Sequence, residues 1–227
     1  MKIAYCLPII KNSPEEVIDM INGNLEHYDY FEVWLDYIDG LNDTFVKQLI
    51  DLLSSRLVVV FRRQNLEDVR MDQDTRFAML ELLKGSETLV DLDITTQTAE
   101  LDFVRDHRLS LKVIASYHDY KQTPDLVQLT AIIDTMDWYQ PSIYKLASLC
   151  NGPEDGLRLL SQLVELKAKG HKAIVSGMGQ FGAVTKVFGA LWGNEMTFAP
   201  KTQDGQSAPG QLTRDQLETI FKELGRV

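Results

Sequence analysis

Lys145 stands inside the apolar run Ser142-Ile143-Tyr144-Lys145-Leu146-Ala147. His118 closes an earlier run, Lys112-Val113-Ile114-Ala115-Ser116-Tyr117-His118-Asp119. An ammonium within an apolar strand is costly to bury unpaired. Burial lowers its pKa and frees the amine as a nucleophile toward a ketone or aldehyde. An imidazole nearby can carry the protons that imine chemistry moves. The pair therefore points to covalent catalysis on a carbonyl compound, provided that the fold brings both to one place.

Short apolar runs alternate with segments of helical period along the whole chain. Strands are predicted at 2–7, 30–35, 57–61, 88–92, 112–116, 142–146, 172–176 and 195–198. Helices are predicted at 14–21, 44–53, 75–83, 98–105, 123–135, 153–169, 182–191 and 213–224. Continuous hydrophobicity, as in Leu57-Val58-Val59-Val60-Phe61, suits parallel strands covered on both faces. Ser13-Pro14-Glu15-Glu16 and Thr213-Arg214-Asp215-Gln216 carry helix-start chemistry, and Gly170 falls where a helix should stop. Eight strand-helix units predict an α/β fold, a (β/α)₈ TIM barrel, with residues 1–227 forming a single domain. A doubly wound open sheet is the alternative; the lack of a Gly-rich phosphate loop after the first strand argues against it. The stretch 199–209, rich in Gly, Ser, Gln and Pro, is expected to be a loose loop able to serve as a lid.

The 227 residues suffice for one substantial core. A net charge of -10 argues against nucleic acid and anionic membrane as partners, since both require a positive footprint. No apolar run is long enough to span a bilayer. Cys6 and Cys150 lie in or beside apolar runs and are expected to be buried free thiols, with no zinc-ligand spacing. The first residues read as a strand rather than a secretory signal, so a cytoplasmic location is expected.

In a barrel, chemistry sits at the C-terminal ends of strands. Glu32, Trp34 and Asp36 share one face of strand two by the period of two. Arg62 and Arg63 end strand three, Asp91 and Asp93 end strand four, and Ser207 and Gln211 follow strand eight. Neighbouring strands lie ~4.8 Å apart, so His118 and Lys145 could act on adjacent atoms of one small molecule. Singly, each residue has an ordinary reading: a structural hydrogen-bonder for His118, a snorkelling side chain for Lys145, a partner of Asp91 or Asp93 for Arg62. Their convergence on one barrel end marks a functional site.

With these motifs in hand, the chain resembles the type I 3-dehydroquinate dehydratases. The resemblance runs from the first strand to the last helix. It rests on Ser116-Tyr117-His118-Asp119-Tyr120 with Thr123-Pro124, on Tyr144-Lys145-Leu146-Ala147, and on Met178-Gly179 with Gly182. Gly193 with Thr197-Phe198 and Ser207-Ala208-Pro209-Gly210-Gln211 complete it. The resemblance implies a Schiff-base lyase of the shikimate pathway, acting in aromatic amino-acid biosynthesis without metal or organic cofactor. Lys145 would form the imine and His118 would be the general acid-base. Glu32, Arg62, Lys186, Ser207 and Gln211 would bind substrate, an anionic hydroxy-ketone. A homodimer is suggested, with a short-loop monomer as the alternative.

Four positions depart from the family pattern. Trp34 stands where strand two has an arginine, Leu66 where the strand-three loop has an acid, Lys186 where the helix after strand seven has an arginine, and Asp93 where strand four has a glutamate. Lysine keeps the charge of arginine but loses its two-pronged fit to a carboxylate. Two further readings stand beside the dehydratase: a class I aldolase-like Schiff-base lyase on another hydroxy-ketone, and a non-catalytic barrel that binds a metabolite or a protein.

Overall fold

The computed structural model describes residues 2–61, 71–208 and 210–225. Eight parallel strands form one sheet: β1 (Tyr5–Ile9), β2 (Tyr30–Trp34), β3 (Leu57–Val60), β4 (Leu89–Asp93), β5 (Lys112–Asp119), β6 (Ile143–Leu149), β7 (Ala173–Met178) and β8 (Thr197–Phe198). Their order, β7-β6-β5-β4-β3-β2-β1-β8, brings the last strand beside the first, as a barrel requires. Eight helices alternate with them: α1 (Pro14–Asn22), α2 (Asp43–Leu53), α3 (Gln73–Leu83), α4 (Thr98–Asp106), α5 (Leu126–Trp138), α6 (Pro153–Ala168), α7 (Ala183–Trp192) and α8 (Arg214–Glu223). The fold is the (β/α)₈ barrel that the sequence predicts.

Side-chain caps set several helix starts. Ser13 accepts from the Glu16 amide, and Thr213 forms a reciprocal capping box with Gln216, as expected from their sequences. Asp125 and Gln128 make a second such box at the start of α5. Gly170, just past the C-cap Lys169 of α6, takes a positive φ of 84°, a conformation that disfavours any side chain.

The remaining seam lies between β7 and β8. The Asn194 side chain bridges it, accepting from the Val175 amide at 2.8 Å and donating to the Val175 carbonyl at 3.0 Å. The Glu195 amide adds a bond to the Ala173 carbonyl at 2.9 Å. A side chain thus does the pairing that a strand would do, and β8 is shorter than predicted. Conversely, β5 and β6 run beyond their apolar stretches. His118 pairs with Ala147 and Asp119 with Ser148, because the ladder continues where the residues turn polar.

The barrel interior is built in layers. Cys6, Val58, Leu89, Ile114, Ile143, Ile174, Met196 and Phe198 pack into one apolar cluster that forms its floor. Both cysteines are buried and unbridged.

Candidate active site

Successive inward side chains on a strand are two residues apart. Two residues above the floor, Leu89 gives way to Asp91, Ile114 to Ser116, Ile143 to Lys145 and Ile174 to Ser176. Two further on come Asp93, His118, Ala147 and Met178. The strand register staggers these rows around the barrel: Asp93 opposes Ser116, while Ser116 opposes Lys145 and His118 opposes Ala147. A polar layer therefore rests on an apolar one at the C-terminal end of the barrel.

Lys145 sits in that layer, 6% exposed. Its Nζ donates to Asp91 Oδ2 at 2.6 Å and lies 3.5 Å from Glu32 Oε1. The Phe198 ring lies beneath it, 4.3 Å from nitrogen to centroid. Asp91 is fully buried, and its other oxygen accepts from Ser116 Oγ at 2.5 Å. The buried amine thus has a carboxylate as its partner.

His118 reaches the same cavity from β5. Its Nδ1 lies 2.8 Å from Asp93 Oδ2. The opposite oxygen, Oδ1, accepts the amides and hydroxyls of both Thr95 and Thr96. Ionised Asp93 selects the tautomer with hydrogen on Nδ1, which leaves Nε2 as the proton-accepting nitrogen.

Glu32 and Trp34 do share a face of β2. The indole Nε1–H of Trp34 donates to Glu32 Oε2 at 2.9 Å, and its ring meets Tyr37 edge-on at 5.9 Å. Asp36 departs from the expectation. The strand ends at Trp34, and Leu35–Tyr37 form a turn of 3₁₀ helix that breaks the period of two. Asp36 lines a separate groove with Leu35, Asp39, Asn42 and Asp72.

Lys186, on α7, is 4% exposed, and its Nζ donates to Ser176 Oγ at 2.6 Å. Burial pushes its pKa down to about 8, with the charge of Lys145 acting in the same direction and Cys150 against it. Ser207 and Gln211 bond to each other: the Ser207 amide donates to Gln211 Oε1 at 2.9 Å, and Gln211 Nε2 to Ser207 Oγ at 3.0 Å. The loop expected to be loose is braced in this part and leans on the turn after β7. A Cβ on Gly210 would come within 3.1 Å of the Gly179 backbone. Arg62, Arg63 and Leu66 lie outside the described residues.

One cavity is lined by Glu32, Trp34, His118, Lys145, Ser207 and Gln211, together with Tyr120, Ser176 and Phe198. Of the residues predicted to bind substrate, Lys186 stands one step back, behind Ser176. Asp91 and Asp93, placed at the end of strand four without a role of their own, are the direct partners of Lys145 and His118, and Ser116 and Ser176 complete the polar layer. A signal was present: acids or hydroxyls at alternate positions of otherwise apolar strands, as in Leu89-Val90-Asp91-Leu92-Asp93.

A (β/α)₈ barrel whose mouth holds a buried lysine on one carboxylate and a histidine on another has the architecture of a barrel enzyme with its site at the strand ends. Residues 5–226 match the family described as type I 3-dehydroquinase. The chain belongs to that family, and it is a hydro-lyase. It is 27% identical over 237 residues to the 3-dehydroquinate dehydratase of Aromatoleum aromaticum, covering 97% of this chain and 90% of that one. It is 23% identical over 226 residues to the 3-dehydroquinate dehydratase of Coxiella burnetii, covering 98% and 94%. The crystal structure of 3-dehydroquinate dehydratase from Geobacillus kaustophilus superposes with a TM-score of 0.80 at 22% identity, covering 99% of this chain and 92% of that chain.

Proposed function

We propose that this protein dehydrates 3-dehydroquinate to 3-dehydroshikimate through a Schiff base on Lys145. The observation that carries the reading is that Lys145 and His118 line one cavity, each with its own carboxylate at 2.6 and 2.8 Å. Lys145 condenses with the keto group, and water leaves as the protonated imine forms. The iminium withdraws electrons and acidifies the adjacent carbon. Nε2 of His118 removes that proton to give the enamine. The same proton then goes to the departing hydroxyl, which leaves as water, and hydrolysis of the imine releases product and free lysine. Each step uses groups of the chain and water alone. Proton transfer of this kind is typically worth ~10²–10⁴ in rate.

Glu32, held by Trp34, faces the substrate hydroxyls, and Ser207 and Gln211 close over it. Arg62 and Lys186 supply positive charge for the carboxylate. Cytoplasmic placement agrees with two unbridged, buried cysteines, and a homodimer is what the resemblance suggests; among the described residues no helix is long and apolar enough to cross a membrane.

The test is borohydride reduction in the presence of 3-dehydroquinate, with a parallel assay of turnover. Lys145 should gain the mass of the reduced adduct, and Lys145→Ala should abolish it. His118→Ala should retain trapping but lose turnover. An active protein whose Lys145 stays unmodified rules out the covalent route. Trp34, in place of a second cation, favours one other reading, a Schiff-base lyase on a less anionic hydroxy-ketone. That reading requires trapping by another keto compound and no conversion of dehydroquinate.

A further inference from the structure

Among the described residues, the shortest polar contact to Lys145 Nζ, on β6, comes from β4. Asp91 is fully buried, and its Oδ2 lies 2.6 Å from Lys145 Nζ. Its Oδ1 accepts from Ser116 Oγ, itself fully buried, at 2.5 Å. The carboxylate is thus fixed from behind and aimed at the reacting atom. Glu32 is placed differently: it is 3.5 Å from the same nitrogen, and its other oxygen is occupied by the Trp34 indole at 2.9 Å.

A buried amine that becomes an iminium keeps a positive charge through most of its cycle, and that charge needs a fixed negative partner in a low-dielectric site. It must also shed a proton before it can attack. We propose that Asp91 is a catalytic residue with both tasks: it takes the proton of the Lys145 ammonium and is then the counter-ion of the iminium. This rests on the imine reading above. Asp91 accepts one proton from Lys145, giving a neutral acid and a neutral amine. The amine nitrogen bonds to the carbonyl carbon, and its second proton passes to the oxygen, giving a neutral carbinolamine. Asp91 returns its proton to the carbinolamine hydroxyl, which leaves as water while the nitrogen lone pair forms the C=N bond. The products are a cationic iminium and an anionic Asp91. Ser116 stays bonded to Oδ1 throughout and keeps the carboxylate from turning away.

The experiment combines steady-state kinetics with timed borohydride trapping on 3-dehydroquinate. Asp91→Asn should lower kcat by about 10²-fold and slow adduct formation in parallel, with KM changed less than about threefold. Asp91→Glu, which keeps the charge, should recover at least about tenfold of the loss. This separates Asp91 from His118, whose loss should leave trapping in place. If wild-type Lys145 is not trapped, the imine reading itself fails. If wild type is trapped and Asp91→Asn traps and turns over at the wild-type rate, the role of Asp91 is overturned. Should Asp91→Asn not fold, Ser116→Ala is read instead. It frees the carboxylate from its anchor and should slow adduct formation at least about threefold, roughly one hydrogen bond's worth; wild-type trapping kinetics in that variant overturn the proposal.

Discussion

His118 and Asp93 form a hydrogen-bonded pair across neighbouring strands, with 2.8 Å between Nδ1 and Oδ2. Asp93 cannot easily rotate, because the Thr95 and Thr96 amides and hydroxyls all converge on its other oxygen. The imidazole therefore inherits its orientation from the turn after β4. An amide in place of the carboxylate can present NH₂ to Nδ1 and so favour the tautomer with hydrogen on Nε2, the nitrogen needed as base. Asp93→Asn is expected to lower kcat by about 10²-fold while leaving KM and borohydride trapping near wild type. Steady-state kinetics and adduct mass measure this; loss of trapping together with turnover would show that Asp93 instead supports the lysine.

Trp34 gives Glu32 a neutral donor at 2.9 Å. A neutral indole fixes a carboxylate without cancelling its charge. Trp34→Phe leaves the buried Glu32 oxygen without that bond and is expected to cost about 1–3 kcal/mol of stability, read as a lower Tm. Trp34→Arg is expected to lower KM for dehydroquinate, since a guanidinium there adds positive charge for the substrate carboxylate. A folded variant with unchanged KM would mean that the substrate anion lies elsewhere.

The order of strands and helices was legible because strands covered on both faces read as continuous apolar runs and because side-chain caps mark the helix starts. The barrel mouth was legible because Lys145 and His118 interrupt those runs. The carboxylate partners were not: Asp91 and Lys145 are 54 residues apart, and only the register across β4, β5 and β6 brings them together. The barrel seam was hidden for a related reason, since Asn194 replaces strand pairing with a side chain that has no periodic signature. Asp36 misled because alternation was extended past the end of β2 into a tight turn.

Lys186 carries a distinct pH signature. Its pKa falls from 10.5 to about 8, chiefly through burial. Between these values the unfolded chain holds a proton that the folded chain lacks, so this group makes stability rise with pH across that window. Under the proposed role of Lys186, binding runs the opposite way: an ammonium that attracts the substrate carboxylate is lost as pH rises through about 8. KM for dehydroquinate is therefore expected to climb above that pH in wild type. Lys186→Arg, whose guanidinium stays charged, should flatten the climb. KM measured from pH 7 to 9.5, a range chosen to bracket the value of about 8, checks both; parallel profiles for the two proteins would remove Lys186 from anion binding.

The placement of Lys186 depends in turn on a backbone contact. Gly177 in β7 and Gly182 just before α7 approach so closely that a Cβ on Gly182 would lie 2.2 Å from the Gly177 carbonyl carbon. The φ of Gly182 is -80°, so the restriction is steric crowding and not backbone conformation. The Thr185 hydroxyl locks the same corner, donating to the Gly182 carbonyl and accepting from the Gly177 amide, each at 2.7 Å. No flexible side chain can yield there, so Gly182→Ala must push the start of α7 off β7. Overpacking of this kind is expected to cost about 1–3 kcal/mol or more. Because Lys186 lies one turn into that helix, the variant should also raise KM more than it lowers kcat, with Lys145 still trapped by borohydride. Thermal melts and kinetics on the same preparation test the link. A destabilised protein with wild-type KM would show that α7 shifts without carrying Lys186 away from Ser176.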